Sequence, residues 1–472
     1  LSHKNKETAV NLTEGQEIML SIEDLAYEGN GVAKHDNFTI FVPFGVPGDK
    51  VKAKITDIKK NFAVAHIKEV ILKSPLHTKA MCPHFMVCGG CHWLNVIYTA
   101  QAKFKLKILN SMLEKIAKAP GVKAEKIITY KNPFFYRNRA QYKVALENDR
   151  LSIGFYKAET HEVVDIHKCY IISEKINEII DHIKNYLIKH KADITVYDEK
   201  KEHGFLRYIA IRVNRQGESL VTFVVTDEPA KHPHMAGIVK YLREKDPAIK
   251  GIMANINRTK GNRIFDDKEA ALWGESCITK KFRGIDYMLG SDTFFQINTD
   301  MLENMTGFIE KYINEGDTVV DLYGGVGTLS LPFYKKLKKL IIVEINKNSI
   351  DMLKEMIKKN GIKNTEVINA DAEQVIDEVF KKNTSSTLIL DPPRKGLAQG
   401  TLEAIKRHRV KHIIYISCDP ATYSRDLGEL KDLYNVREIT ALDLFPHTYH
   451  IETMSKLELS NNSEFRQDTL ED

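Results

Sequence analysis

From Gly316 onward, short apolar runs alternate with segments of helix length. Residues 318–323, 340–344, 366–369, 387–390 and 412–417 read as strands, and the stretches between them are long enough for one helix each. That alternation is the signature of parallel α/β units, so the carboxyl-terminal part of the chain is confined to an open sheet covered by helices. In such sheets the chemistry collects beyond the carboxyl ends of the strands. The residues that follow each run are therefore the ones to read.

The first run feeds the turn Gly324-Gly325-Val326-Gly327, and Thr328 is expected to open a helix. Glycines there let the backbone approach a ligand. The second run ends in Glu344, about twenty positions on, where a carboxylate can accept hydrogen bonds from both hydroxyls of a ribose. The third leads to Asp371, placed to meet an adenine amino group. A dehydrogenase expects the phosphate cradle Gly-x-Gly-x-x-Gly, and Gly324, Gly325 and Gly327 break that register. A nucleoside ligand such as S-adenosylmethionine fits the pattern better than a dinucleotide.

The last two runs end in reactive groups. One leads into Asp391-Pro392-Pro393-Arg394, the other into Cys418-Asp419-Pro420, and further on lies Phe445-Pro446-His447-Thr448-Tyr449-His450-Ile451-Glu452. Alone, a cysteine at a strand end is more often packing than catalysis. Its coincidence with Asp391 and Glu452 on neighbouring strand ends makes all three candidates for one site. Asp-Pro-Pro also occurs in methyltransferases acting on amino groups, where an aromatic typically follows; Arg394 and Cys418 argue against that class. His447 and His450, three apart in a proline-led segment, shape a loop rather than hold a metal.

The other cysteines form a second pattern. Cys82, Cys88 and Cys91 have the spacing C-x5-C-x2-C beside Gly89 and Gly90, and Cys169 is a possible fourth thiolate. Three cysteines within ten residues point to a metal or cluster rather than to packing. Structural zinc commonly uses two close pairs, whereas a compact triplet with a distant fourth ligand suits a [4Fe–4S] cluster better. Cys277 reads as a bystander.

The amino-terminal part is of another kind. Short β-rich runs separated by Gly29, Gly31, Pro47 and Gly48 suggest a small antiparallel barrel over residues 10–72. A middle region, 73–285, holds the cysteines, a helix over about 99–119 that is a candidate to pack on the catalytic domain, and a mixed β-rich stretch; 286–460 is the α/β unit, and 461–472 a polar tail expected to be disordered. Net charge is +6 and the sequence pI about 8.7. The charge is concentrated: between Gln101 and Val144 eleven Lys or Arg face two Glu, and Phe134, Tyr136, Arg137 and Arg139 interleave rings with cations. That combination can stack bases and neutralise phosphates, although an amphipathic strand reads similarly. No apolar stretch is long enough to span a bilayer. The polar amino end shows no signal region, so a cytoplasmic protein is expected.

Together these motifs resemble the RNA uracil-5-methyltransferases that carry a TRAM domain and an iron–sulfur cluster, close to those acting on 23S ribosomal RNA. The resemblance runs from the barrel through the cysteine triplet to the Phe-Pro-His-Thr-x-His-x-Glu segment. It implies a Rossmann-like S-adenosylmethionine-dependent catalytic domain, an OB-like TRAM barrel and a mixed α+β cluster domain. It also implies cluster ligands at Cys82, Cys88, Cys91 and Cys169. By the same resemblance Gln296, Tyr323, Thr328, Glu344, Asp371 and Asp391 meet the cofactor, with Gly325 and Gly327 of the turn beside them, Cys418 is the nucleophile and Glu452 the base; Phe294 is expected to stack on RNA and offset the cost of unstacking the target base. Family members often have cysteine where this chain has Gly324, and asparagine can occur where it has Thr328. Ribosomal RNA is the expected substrate, transfer RNA the alternative, and a monomer is expected. An N-methyltransferase or a non-catalytic RNA-binding protein would not need thiol, aspartate and glutamate together.

Overall fold

The computed structural model describes residues 12–190, 194–232, 234–261, 263–383 and 386–460. The tail 461–472 and residues 10 and 11 of the expected barrel lie outside them. In the amino-terminal unit six strands, Glu17–Ser21, Asp24–Leu25, Gly31–His35, Phe38–Val42, Lys50–Ile58 and Phe62–Leu72, form one sheet. Alternating burial along Glu17–Ser21 and Lys50–Ile58 turns Ile18, Leu20, Val51, Ala53 and Ile55 into a common core. The sheet departs from a wholly antiparallel barrel in one place: Phe38–Val42 runs parallel to Phe62–Leu72. The long connection that carries strand Lys50–Ile58 between them makes this direction available.

The middle unit is a seven-stranded sheet spanning residues 139–274 in sequence, with helices Glu174–Lys189 and His234–Lys245 packed against each other and on its strands. A separate core of Tyr142, Ile153, Ile179, Ile209 and Phe223 sits beneath them.

The third unit has eight strands. Reading across the sheet, they are Thr365–Asn369, Lys339–Glu344, Thr318–Leu322, Ser386–Leu390, His412–Ser417, Glu452–Leu459, Tyr434–Leu442 and Lys126–Ile128. The first five are parallel; Glu452–Leu459 is antiparallel to its neighbours on both sides. Because side chains alternate along a strand, Val320, Leu322, Leu388 and Tyr415 enter one core, while Val319, Ile389, Ile414 and Ile416 enter another on the opposite face. This two-sided burial is why the runs were apolar at successive positions.

Two elements of this unit come from far upstream. Strand Lys126–Ile128 pairs in parallel with Tyr434–Leu442, and helix Tyr98–Lys115 packs on helix Pro420–Leu430. Gly428 makes room for the end of that contact, since a Cβ there would stand 3.3 Å from Ala117. Lys118 then takes a positive φ of 50° and Pro120 closes the segment.

One expected element is absent. After the glycine turn the chain forms successive turns and a short 3-10 helix, Leu331–Phe333, instead of an α-helix from Thr328. Pro332 lacks the N–H that a continuing α-helix would use there, and Gly325 and Gly327 both hold positive φ.

Candidate active site

Strand pairing brings three functional groups to one edge of the sheet. Leu390 pairs with Tyr415, so Asp391 and Cys418 leave adjacent parallel strands in the same direction. Ser417 pairs with Thr453 in the antiparallel neighbour, which sets Glu452 beside Cys418. Glu452 is buried, and Asp391 and Cys418 are half-buried. Burial pushes the Cys418 thiol up to about 12, reinforced by Glu452 and Asp391, while Arg394 pulls it down. Burial also raises Asp391 to about 7: part of its surface opens to the cleft, but protein encloses the carboxyl itself. Glu452 stands well above the ordinary carboxylate range, through burial and then through Asp391. Three acids in one desolvated corner suppress one another's ionisation.

The loop before Glu452 is held from outside its own sheet. On the upstream helix, Lys105 Nζ donates to Asp443 Oδ1 at 2.6 Å and to the Phe445 carbonyl at 3.1 Å. Both charged groups are fully buried. Gln101 accepts from the His447 N–H at 3.0 Å and donates to His447 Nδ1 at 3.1 Å. The His447 carbonyl accepts from the N–H groups of His92 and Trp93, the two residues that follow Cys91. His447 has φ 67°, an unusual conformation for a side chain with a Cβ, and this set of partners fixes it. Asn298 donates to the Leu444 carbonyl at 3.0 Å. None of Gln101, Lys105 or Asp443 announced itself in the sequence, where Lys105 was one of several lysines in a basic helix.

Of the residues expected to meet the cofactor, Tyr323, Gly325, Glu344 and Asp371 lie at or just beyond the neighbouring strand ends. Gly325 N–H donates to Glu344 Oε2 at 3.0 Å, bringing the glycine turn against the second strand. Tyr323 has φ 65° and its hydroxyl lies 3.5 Å from that of Thr401. Asp371 caps helix Ala372–Lys382 through the Glu373 N–H. Gln296 and Thr328 are buried. Ile345, which follows Glu344, is 66% exposed. That leaves an apolar side chain open to solvent directly after the acidic strand end. Phe294 is 54% exposed, and a Cβ on Gly325 would lie 3.8 Å from its ring. Beneath the turn, Asp321 is buried, accepts from Ser330 Oγ at 2.5 Å and is raised to about 7 by burial.

The four cysteines Cys82, Cys88, Cys91 and Cys169 line one cavity of about 570 Å³ with Arg137. All four thiols are raised by burial, and Cys91 feels the other three. Among the described residues no three His, Cys, Asp or Glu side chains are grouped as a single ion would require. The basic-aromatic stretch needs correction. Tyr136 is buried with its hydroxyl donating to the Pro446 carbonyl, so its ring is not open to a base. Arg139 turns inward to the Ser291 carbonyl and lies over Phe265. Phe134 stacks on His447 with centroids 4.6 Å apart. The alternation of rings and cations there serves the packing of the catalytic loop more than an open surface.

A sheet of five parallel strands extended by an antiparallel one in this order, a glycine turn after strand Thr318–Leu322 and a carboxylate ending the next define the class of methyltransferases that use S-adenosylmethionine. Comparison with known proteins narrows the class. The family model for tRNA (uracil-5-)-methyltransferase matches residues 97–459 and that for the TRAM domain residues 11–68. The chain belongs to the RNA (uracil-5-)-methyltransferase family. It is 36% identical to an uncharacterized RNA methyltransferase of Clostridium acetobutylicum over 95% of this chain and 98% of that one. A second, from Halalkalibacterium halodurans, is 33% identical over 94% and 97%. Among solved structures it is similar to the tRNA (uracil-54, C5)-methyltransferase of Pyrococcus abyssi in complex with S-adenosyl-L-homocysteine. That match has a TM-score of 0.75 and 29% identity, and covers 93% of this chain and 99% of that one.

Proposed function

We propose that this enzyme methylates C5 of a uridine in 23S ribosomal RNA through a covalent adduct to Cys418. The observation that carries the reading is the meeting of Asp391, Cys418 and Glu452 on adjacent strand ends. Uracil C5 is a poor nucleophile. Addition of the Cys418 thiolate to C6 forms an S–C6 bond and moves the ring electrons toward O4, which makes C5 nucleophilic. Asp391, raised to about 7, still holds a proton to offer to that oxygen near neutral pH. S-adenosylmethionine, when bound, supplies the methyl group; the Gly325–Gly327 turn, Glu344, Asp371, Tyr323, Thr328 and Gln296 are the residues to hold it, with Ile345 under the base. As C5 takes the methyl group the O4 proton returns to Asp391; Glu452, as carboxylate, then takes the proton from C5, the C5=C6 bond re-forms, and the thiolate leaves. Burial that raises Glu452 makes its carboxylate the stronger proton acceptor, once the carboxyl has given up its own proton. The target base must be unstacked to reach this corner, and exposed Phe294 beside the turn offers a ring to replace the lost stacking.

Cys418→Ala is expected to abolish both 5-methyluridine formation and the covalent adduct with RNA containing 5-fluorouridine. Retained turnover in that variant would overturn the mechanism. Mass-mapping of 5-methyluridine in a deletion strain names the nucleotide. A second substrate, transfer RNA, is favoured by the similarity to the Pyrococcus abyssi tRNA (uracil-54, C5)-methyltransferase, and loss of the modification from transfer RNA alone would select it.

The C-x5-C-x2-C spacing with a distant fourth cysteine suits a [4Fe–4S] cluster, and we assign Cys82, Cys88, Cys91 and Cys169, which line one cavity, to it. Its role is to hold the segment that runs on into His92 and Trp93. Anaerobic reconstitution is expected to give about four irons per chain and Cys169→Ser fewer; metal content that ignores Cys169 would refute the ligand set.

A further inference from the structure

The amino-terminal barrel reaches the catalytic corner itself. Tyr27, in the 3-10 turn Tyr27–Gly29 of the barrel, donates its hydroxyl to Asp419 Oδ2 at 2.7 Å. Asp419 directly follows Cys418. Its other oxygen caps helix Pro420–Leu430, accepting from the N–H groups of Ala421 and Thr422 at 2.9 Å each. The Ser417 hydroxyl closes the turn on the near side by donating to the Asp419 carbonyl at 3.1 Å. The Cys418 turn thus hangs between a helix cap and a tyrosine from another unit. The same tyrosine ring meets Tyr449 edge-on, with centroids 5.4 Å apart, and Tyr449 lies in the loop that carries Glu452.

The contact is built in. The Gly29 carbonyl accepts from Trp93 Nε1 at 2.9 Å, and Trp93 is one of the two residues whose N–H groups hold the His447 carbonyl. Gly29 has φ 97°, and a Cβ there would stand 2.8 Å from His92, so the turn approaches as closely as glycine permits. Leu25 and Val46 of the barrel join the same buried cluster as Tyr415, Tyr423 and Ile451 of the catalytic sheet, with Tyr27 and Tyr449 packed against it. A barrel serving only as an RNA tether would need none of these contacts.

We propose that Tyr27 is a positioning residue for methyl transfer, setting the geometry of the Cys418 turn and the Glu452 loop from the barrel, so that the TRAM unit forms part of the catalytic site. The proposal rests on Cys418 being the nucleophile. The charged groups felt by the thiol are Glu452, Asp391, Arg394 and Asp419. The Tyr27 hydroxyl spends its proton on the last of these. Burial and Asp419 both raise its own pKa, so it stays a donor at working pH. Removing that donor leaves the Asp419 charge less compensated, and Asp419 opposes ionisation of the thiol.

The test is Tyr27→Phe in the full chain, which keeps the ring against Tyr449 and removes only the hydroxyl. The expected result is a fall in kcat of about tenfold with KM for RNA within twofold of the unaltered enzyme. The pH profile of Cys418 alkylation by iodoacetamide should move to higher pH. Asp419→Asn retains an oxygen to cap the helix; in the Tyr27→Phe background it should add less than its effect alone. Unchanged kcat and alkylation profile in Tyr27→Phe, or fully additive losses in the double variant, would overturn the coupling. Turnover by Cys418→Ala would instead overturn the covalent mechanism, so the two failures are distinct.

Discussion

The proposed mechanism requires Cys418 to ionise, and the side chain is surrounded by groups that resist ionisation. Glu452 and Asp391 both raise its pKa, and only Arg394 among the charged groups it feels acts the other way. Glu452→Gln removes one negative neighbour while keeping the shape, so the alkylation profile of Cys418 should move to lower pH even as turnover is lost; an unmoved profile would show that the two groups do not interact. Asp321, buried under the glycine turn, gives a stability prediction. Its folded pKa of about 7 lies above the ordinary carboxyl value of 3.8. The stability its proton confers is therefore full below about pH 4 and lost as pH rises through about 7. Asp321→Asn should remove that slope, leaving the variant more stable than the parent at pH 8 by at most about 4 kcal/mol in urea titrations, with little difference near pH 4. Single residues were unevenly legible. Asp391, Cys418 and Glu452 could be read because each follows or opens a strand, and strand ends are where a parallel sheet gathers its chemistry. Tyr136 and Arg139 were misread because the same alternation of ring and cation serves a buried strand, and only tertiary packing tells which side faces water.

The helix Tyr98–Lys115 shows why elements were harder to place than to recognise. Its existence follows from its run of Leu, Ile, Lys and Ala, and packing on the catalytic domain was expected of it, but its particular partner, helix Pro420–Leu430, lies some three hundred residues away and leaves no local trace. Its buried lysine is the sharpest case. Lys105 pairs with Asp443 in an interior that excludes water from both. Lys105→Ala would leave Asp443 buried and uncompensated, a loss of about 3–5 kcal/mol in unfolding free energy. Lys105→Met combined with Asp443→Leu should recover most of that stability. It should not recover kcat, since the Phe445 carbonyl also loses its donor and the loop before Glu452 is freed. Recovery of kcat in the double variant would mean that Lys105 serves only stability. The glycine turn was read correctly as a turn, whereas the helix expected after it failed at Pro332, a residue that carried the warning in plain view.

Across the whole molecule, the catalytic sheet is not a contiguous stretch of chain. A fragment of residues 286–460 lacks strand Lys126–Ile128 and helix Tyr98–Lys115, so Tyr434–Leu442 would present an unpaired edge and helix Pro420–Leu430 an uncovered apolar face. Such a fragment should aggregate or show no cooperative thermal transition, while one beginning near residue 73 should unfold cooperatively; a well-behaved 286–460 fragment would show that the upstream elements are dispensable for folding. The sheet's edge also has a consequence for synthesis on the ribosome. Lys126 leaves the exit tunnel about 300 residues before Thr440, its partner, and at roughly 5–20 residues per second that is an interval of tens of seconds. During it a strand and an amphipathic helix wait without their docking surface, while the middle unit that follows them can already fold. The chain completes its catalytic sheet only as its last strand arrives, so a truncated product is never a partial enzyme.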